Sequence, residues 1–262
     1  MPATDWGWLI EPEELKGWII QQTPELLVLN KPPHVVCHPS RHGPWSSLVG
    51  ACREYLGAEK LHMPFRLDRE TSGVMLFATH QPTGSRLQRA VTAGRFHKTY
   101  HAILCGALPE PVTVTGSLGP DEDAEFYSRR KVVTQGGETA ETEFIPIAQG
   151  GGFTLARIHP KTGRRHQIRV HAASLGLPIL GDKLYGPDPT LMMDFIREGF
   201  SPQILARLPL DRHALHCSSV EFQTELGNEV FSAPLLLDLV EFIHRHIGVE
   251  NVTTADVVTG SH

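Results

Sequence analysis

The order of apolar segments along the chain constrains its fold more than any other sequence feature. Strand-like segments at 25–30, 74–79 and 98–104 mix with helix-like segments at 83–95 and 164–175, and their order is irregular. Parallel α/β proteins instead show a regular alternation of strand and helix. The sequence therefore predicts an α+β fold, with a largely antiparallel mixed sheet and flanking helices.

A chain of 262 residues can bury one good core or two small ones, and no repeat or strong boundary divides it. We expect a tryptophan-containing N-terminal extension over residues 1–24 and one domain over residues 25–248. Residues 249–262 have no periodicity, so a disordered tail is predicted there.

Composition and spacing exclude several classes of protein. No apolar run approaches the length needed to cross a bilayer. The four cysteines are widely spaced, as is typical of reduced thiols in the cytosol. The closest histidine groups, His213-x-x-His216-Cys217 and His244-x-His246, lack the further ligands of a zinc site. We therefore predict a cytoplasmic protein with no metal, no cofactor and no membrane association. No obligate protein partner is evident from the sequence, and the oligomeric state is open.

Basic residues concentrate in the middle of a chain whose formal net charge is −5. Lysines and arginines cluster between residues 66 and 169, whereas acidic residues concentrate near both termini and at 121–123 and 138–143. Lysine and arginine drive binding to nucleic-acid backbones, so this segregation predicts a central basic cleft for RNA. Solvated helix faces would give the same composition, and that alternative stays open at this point.

The segment Phe65-Arg66-Leu67-Asp68-Arg69 places one carboxylate between two guanidinium groups, just before a turn and an apolar strand. Positive charge on both sides favours the ionised carboxylate, which nucleophilic catalysis by aspartate requires. If the segment is extended, Arg66 and Asp68 share a face. An exposed ion pair beside a turn is the alternative interpretation.

Two further segments carry polar side chains at useful spacing. Lys98 and Tyr100 lie two residues apart on a predicted strand, and a tyrosine can stack on a base or act as an acid or base. A core tyrosine is the alternative for Tyr100. Arg169 lies at the edge of the buried stripe of the predicted helix 164–175 and needs a carboxylate partner, for which Asp68 is the candidate.

The helix that carries Arg169 is preceded by a basic pair. Arg164 and Arg165 point away from the predicted buried stripe. They would suit phosphate groups, as would the backbone N–H groups of the first helical turn.

Together these segments resemble the RluA family of RNA pseudouridine synthases. The shared motifs occur in the family's order from about residue 27 to residue 234: N-K-P, R-L-D-x-x-T-S-G, K-x-Y, T-G-R-x-H-Q-I-R-V-H and P-I-L-G-D-x-x-Y-G. The resemblance implies the pseudouridine synthase fold, a catalytic domain over 25–248, and isomerisation of uridine in ribosomal or transfer RNA without a cofactor.

The resemblance also implies roles for individual residues. Asp68 corresponds to the catalytic nucleophile, and Arg66 to the arginine that enters the RNA stack and helps to evert the target nucleotide. Tyr100 corresponds to the tyrosine that stacks on the uracil, and Arg169 to the arginine paired with the nucleophile. Four further cationic side chains are expected to contact RNA: Arg69, Lys98, Arg164 and Arg165.

One departure from the family pattern keeps an alternative open. Phe65 stands where the family usually has a histidine, directly before Arg-Leu-Asp. A catalytically silent RNA-binding module on the same fold is therefore the second hypothesis. An unrelated hydrolase with an aspartate nucleophile is disfavoured by the ordered set of motifs.

Overall fold

The computed structural model describes four stretches of the chain: residues 3–4, 7–38, 43–126 and 128–249. They divide into two compact units. The first runs to Lys98 and includes Cys217–Pro234, and the second comprises Thr99–His216 with the chain from Leu235 onward. The tail predicted over 249–262 lies outside the described residues beyond its first position, and the predicted domain bounds of 25–248 stay a prediction.

The first unit is built on a sheet with the strand order β3-β4-β5-β11-β12. Its strands are β1 (Ala3–Thr4), β2 (Gly7–Trp8), β3 (Ile19–Gln22), β4 (Leu26–Lys31), β5 (Ser72–Ala78), β11 (Leu215–Thr224) and β12 (Gly227–Ser232). β1 and β2 form a separate antiparallel pair, and the first two residues of β11 belong to the second unit. Every residue of β5 is buried, as expected for a central strand.

Three helices belong to the first unit: α1 (Pro12–Trp18), α2 (Leu48–Leu56) and α3 (Gln81–Thr92). The limits of α2 follow from the residues at its two ends. The Ser47 hydroxyl accepts a hydrogen bond from the Gly50 N–H at its start, and Gly57 ends it in a left-handed conformation at φ 61°. α1 and β3 lie within the predicted N-terminal extension, where the sequence analysis assigned no secondary structure.

The described residues of the second unit include strands paired antiparallel in the order β6-β10-β9-β7-β8. They are β6 (Phe96–Cys105), β7 (Val112–Pro120), β8 (Arg130–Val133), β9 (Glu138–Gly150) and β10 (Phe153–Pro160). The first three residues of β6 belong to the first unit. The antiparallel pairs and the added helices confirm the predicted α+β fold, whereas the basic cleft stays a prediction.

The helices of the second unit are α4 (Gln167–Ser174), α5 (Leu191–Glu198), α6 (Pro202–Leu205) and α7 (Leu237–Phe242), which continues as a π-helical turn over Ile243–Ile247. The prediction that α4 begins at Arg164 is wrong by three residues. His166 has a left-handed backbone at φ 57°, which interrupts a right-handed helix, so Arg164 and Arg165 lie in the turn before α4. No helix in the described stretches is long and apolar enough to span a membrane.

Candidate active site

Asp68 lies at the start of a tight turn that directly precedes the buried strand β5. Its carbonyl accepts a hydrogen bond from the Thr71 N–H at 3.1 Å, and its side chain is half-buried between the buried Leu67 and the turn. Gly73, at φ 111°, is the position at which β5 meets β11. A Cβ there would lie 2.1 Å from the Cys217 carbonyl oxygen, so only glycine lets the chain continue from the turn into the sheet.

Two buried side chains hold the backbone on either side of Asp68. The Lys31 ammonium is fully buried and donates to the carbonyl of Arg69 at 3.0 Å, and also to those of Pro32 and Val35 at 2.8 Å. The Cys37 thiol donates to the Leu67 carbonyl at 3.3 Å. Burial raises the pKa of Cys37, which keeps it a protonated donor. The carbonyl groups of the residues before and after Asp68 are therefore both held by hydrogen bonds.

Replacing Lys31 with methionine tests this arrangement. The variant would leave three carbonyls without their cationic donor, and hydrogen bonds to charged groups contribute about 1.5–3 kcal/mol each. We expect the free energy of unfolding to fall by roughly 3 kcal/mol or more, measured by denaturant titration. Lys60→Met, at an exposed lysine of the same unit, is the matched control. Equal unfolding of both variants would contradict the role of Lys31.

The arginines beside Asp68 differ in their surroundings. Arg66 is exposed, whereas Arg69 is half-buried, and its guanidinium lies 3.9 Å from the carboxylate of the buried Glu70. The exposed position of Arg66, two residues before Asp68, allows its guanidinium to reach a ligand. The predicted roles of Arg66 and Arg69 in RNA binding stay predictions.

Phe65 belongs to an aromatic cluster with a cation on one side. Its ring lies 5.5 Å from Phe96, which stacks on Phe222 at 5.5 Å and 5°. The Lys98 ammonium lies 5.5 Å from the centre of the Phe65 ring, a cation–π distance. Burial is the main cause of a lowered pKa for Lys98. Phenylalanine suits this position without a histidine, because its ring packs against the apolar Phe96 ring and interacts favourably with the Lys98 cation.

In the second unit, Arg169 forms a buried bidentate ion pair with Asp182. The Arg169 Nε and guanidinium NH donate to the two Asp182 oxygens at 2.7 and 2.8 Å. Asp182 also accepts the backbone N–H groups of Leu184 and Tyr185 at 2.9 and 3.0 Å. Burial, the largest influence, raises the pKa of Asp182, but the Arg169 charge and these hydrogen bonds together lower it below its ordinary range.

The Asp182 partner of Arg169 is not evident from the sequence. The predicted partner is Asp68, because a partly buried arginine needs a carboxylate, and Arg169 is only 8% exposed. Asp182 meets that need within the second unit, and the pairing of Arg169 with Asp68 stays a prediction. The signal for Asp182 was the motif Gly-Asp-x-x-Tyr, which the local pattern alone describes as a turn.

Tyr185 connects this ion pair to the turn before α4. The Arg169 guanidinium lies 5.0 Å from the centre of its ring. The Tyr185 hydroxyl accepts the backbone N–H of Arg130 at 2.9 Å and lies 2.9 Å from the His166 Nδ1. The left-handed residue His166, which delays the start of α4, is thereby held in place.

The buried Gln167 amide organises the remainder of the T-G-R-x-H-Q motif. It donates to the carbonyl of Glu141 and the hydroxyl of Thr142, both at 2.9 Å. Its oxygen accepts from the Thr162 hydroxyl at 2.7 Å and the Arg164 N–H at 3.0 Å. Four hydrogen bonds from one side chain fix the turn that precedes Arg169.

The other predicted site residues of the second unit have different environments. Tyr100 lies on β6 and is 7% exposed, which is compatible with a core residue or with one face open to a ligand. The Arg164 guanidinium pairs with Glu138 at 2.9 Å and donates to the Thr139 carbonyl at 3.2 Å, while Arg165 is exposed. Arg165 therefore carries the less compensated charge of the two.

Two buried histidines predict how stability depends on pH. Burial lowers the pKa of His171 to about 4, and burial together with nearby cationic groups lowers that of His101 to about 3. Unfolded histidine binds its proton near pH 6.5, so between pH 6.5 and 4 the unfolded state binds more protons. We expect stability to fall with pH in this range, by up to about 1.4 kcal/mol per pH unit for each histidine.

Denaturant unfolding at pH 7.5, 5.5 and 4.5 measures this dependence. His171→Asn removes one titrating group while retaining polar atoms near Thr142, whose hydroxyl lies 2.9 Å from the His171 Nδ1. The variant should lose less stability than the wild type as the pH falls. Parallel pH profiles for the two proteins would contradict the assignment of His171 as a buried neutral group.

Solved structures with this fold are pseudouridylate synthases. Human RNA pseudouridylate synthase domain containing 4 has a TM-score of 0.68 at 24% identity, over 89% of this chain and 94% of that chain. Human RNA pseudouridylate synthase domain containing 1 has a TM-score of 0.66 at 22% identity, over 91% and 89% of the two chains. The fold is thus that of a pseudouridylate synthase.

The sequence model of the family described as RNA pseudouridylate synthase matches residues 25–174, more than half of the chain. This protein belongs to the RNA pseudouridylate synthase family, in its RluA-type branch. The predicted family and its enzyme class, an isomerase of uridine in RNA, are confirmed.

Two relatives illustrate the similarity. The uncharacterized RNA pseudouridine synthase YjbO of Bacillus subtilis is 32% identical over 242 residues, covering 90% of this chain and 77% of that protein. The ribosomal large subunit pseudouridine synthase D of Vibrio vulnificus is 31% identical over 240 residues, covering 88% and 71%. The match thus extends over most of both chains.

Proposed function

We propose that this protein converts uridine to pseudouridine in RNA with Asp68 as the nucleophile. The observation that carries the proposal is the position of Asp68. It is half-buried on a turn, within the family's R-L-D-x-x-T-S-G motif, and Cys37 and Lys31 hold the carbonyl groups of the residues before and after it. A carboxylate held in this way loses little conformational freedom when it attacks.

The proposed reaction is an isomerisation in which substrate and product have the same composition. An Asp68 oxygen bonds to ribose C1′ while the C1′–N1 bond breaks, and its electron pair stays on the uracil. The uracil turns, C5 bonds to C1′, and the bond to Asp68 breaks. The C5 proton leaves to water and N1 gains a proton, so no oxidant, reductant or cofactor is needed.

We assign supporting roles to the other predicted site residues. Arg66 would displace the target nucleotide from its stack, and Tyr100 would stack on the everted uracil, offsetting a few kcal/mol of lost stacking. Arg169 would position the reacting groups, together with Asp182. The cationic side chains assigned to the RNA backbone are Arg69, Lys98, Arg164 and Arg165.

Phe65 fits an active enzyme better than a silent module. Its ring packs with Phe96 and under Lys98, so the change from histidine is accommodated by its neighbours. Asp68, Tyr100 and Arg169 are all retained in this chain. A module that only bound RNA would not need a carboxylate on a turn whose backbone is fixed by hydrogen bonds.

Ribosomal RNA is the first substrate to test and transfer RNA the second, because several relatives are named ribosomal large subunit pseudouridine synthase D. We propose that the protein acts in the cytoplasm, where both RNAs are available. Unmodified transcripts of each RNA would be incubated with the protein and treated with a carbodiimide that marks pseudouridine. Reverse-transcription stops at defined uridines are expected. Binding without any stops would favour the silent module.

A further inference from the structure

A groove in the first unit lies beside the Asp68 segment and has no part in the reaction as described. Its volume is about 790 Å³, within the range of ligand sites in proteins. One wall is the segment Leu61–Pro64, and the other is helix α3 with the residues that follow it, up to Arg95. We infer that this groove binds the RNA strand next to the target uridine, an inference that rests on the proposed function.

The wall formed by α3 is polar along one helical face. Gln81, Ser85, Gln88 and Thr92 follow at spacings of four, three and four residues, which places them on one side of the helix. Amides and hydroxyls of this kind donate to and accept from base edges, ribose hydroxyls and phosphates. A row of them along an open groove matches a polar strand better than a small apolar ligand.

Two arginines give the groove its charge. Arg95 is exposed, and although its charge helps to lower the pKa of the exposed Glu225, no carboxylate of the described residues lies within 4.0 Å of its guanidinium. Arg89 lies 3.7 Å from Glu225, but both side chains are about 60% exposed, so this pair is weak and a phosphate can compete for the guanidinium. Arg86, the other arginine of α3, pairs with Glu25 and Thr83 and does not line the groove.

The groove borders the segment that carries Asp68. Pro64 and Arg95 line it, and the next residue of each segment, Phe65 and Phe96, pack together at 5.5 Å between ring centres. Beyond Phe65 the chain continues through the exposed Arg66 to Asp68. A strand in the groove would therefore pass the Phe65 ring on its way to the target nucleotide.

The opposite wall is rigid. His62 and Ala78 exchange two backbone hydrogen bonds of 2.9 and 2.8 Å, which anchors the segment to the end of β5. Gly84 allows α3 to approach, because a Cβ there would lie 2.6 Å from the His62 side chain. A preformed groove costs little ordering on binding, which favours RNA affinity.

Kinetics of a double variant test the inference. Arg89→Gln with Arg95→Gln should raise KM for RNA about tenfold, with a smaller effect on kcat, and should reduce the salt dependence of binding by about 1.4 log units per log unit of salt. Arg53→Gln, at an exposed arginine of α2 outside the groove, is the matched control. Equal KM values for the two variants would overturn the inference.

A tethered probe locates the strand directly. An iron chelate attached at Gln88→Cys should cleave bound RNA within a few nucleotides of the target uridine. A chelate at Arg53→Cys should not, and labelled wild type accounts for the partly exposed Cys105. If neither chelate cleaves the RNA, the inference that RNA binds in the groove is overturned. That result is expected if a protein partner, and not RNA, occupies the groove. If the wild type forms pseudouridine but the chelate at position 88 does not cleave the RNA, only RNA binding in the groove is rejected. If the chelate cleaves the RNA but no pseudouridine forms, only the proposed reaction is rejected.

Discussion

Replacing Asp68 with asparagine is expected to lower pseudouridine formation by about 10⁴-fold or more, because the isosteric amide cannot attack C1′. Folding and RNA affinity should change little, since the side chain keeps its shape and the turn is held by Lys31 and Cys37. Single-turnover kinetics and fluorescence anisotropy with labelled RNA measure the two quantities separately.

The matched control for Asp68 is Glu59→Gln, which removes an exposed carboxylate from the same unit. It should retain the wild-type rate. Turnover by Asp68→Asn within tenfold of the wild type would remove Asp68 as the nucleophile. Loss of RNA binding by the same variant would instead make it a binding residue.

Replacing Arg169 with alanine is expected to lower the free energy of unfolding by about 3–5 kcal/mol, because it leaves the Asp182 carboxylate buried without its guanidinium. The pair is bidentate and the Asp182 side chain has no exposed surface. Turnover should fall as well, because Arg169 is proposed to position the reacting groups. Denaturant unfolding and tritium-release kinetics provide the two measurements.

A double-mutant cycle separates the ion pair from other effects of Arg169. Asp182→Asn alone should also destabilise the protein, and the double variant should lose less than the sum of the two single changes. Arg197→Ala is the control, because that arginine is 65% exposed and its nearest carboxylates lie 3.9 Å away. Arg169→Ala with unchanged melting and a normal rate would refute the buried pair.

Local patterns were sufficient for elements whose signals lie within one segment. The helix α2 follows from the Ser47 cap and the Gly57 stop, and β5 from an apolar run that follows a turn. The position of β5 directly after the Asp68 turn could be predicted because the turn and the apolar run are adjacent in the sequence. The motif of Asp68 itself is local, so the candidate nucleophile was found without a structure.

Features that depend on distant partners could not be predicted in this way. Lys31 donates to a carbonyl 38 residues away, and Arg169 pairs with an aspartate 13 residues further along the chain. Neither sequence separation corresponds to a helix or strand repeat, so no sequence pattern indicates these contacts. The start of α4 was also missed, because the φ angle of His166 is set by its contact with Tyr185.

Release of tritium from unmodified bulk RNA labelled at uridine C5 tests the central claim most directly. The reaction replaces the C5 hydrogen with a bond to ribose, so the wild-type protein should release tritium to water while Asp68→Asn releases none above background. Equal release by both proteins would contradict the assignment of Asp68. Retained RNA binding with no release by the wild type, on ribosomal and transfer RNA alike, would contradict the proposed isomerisation.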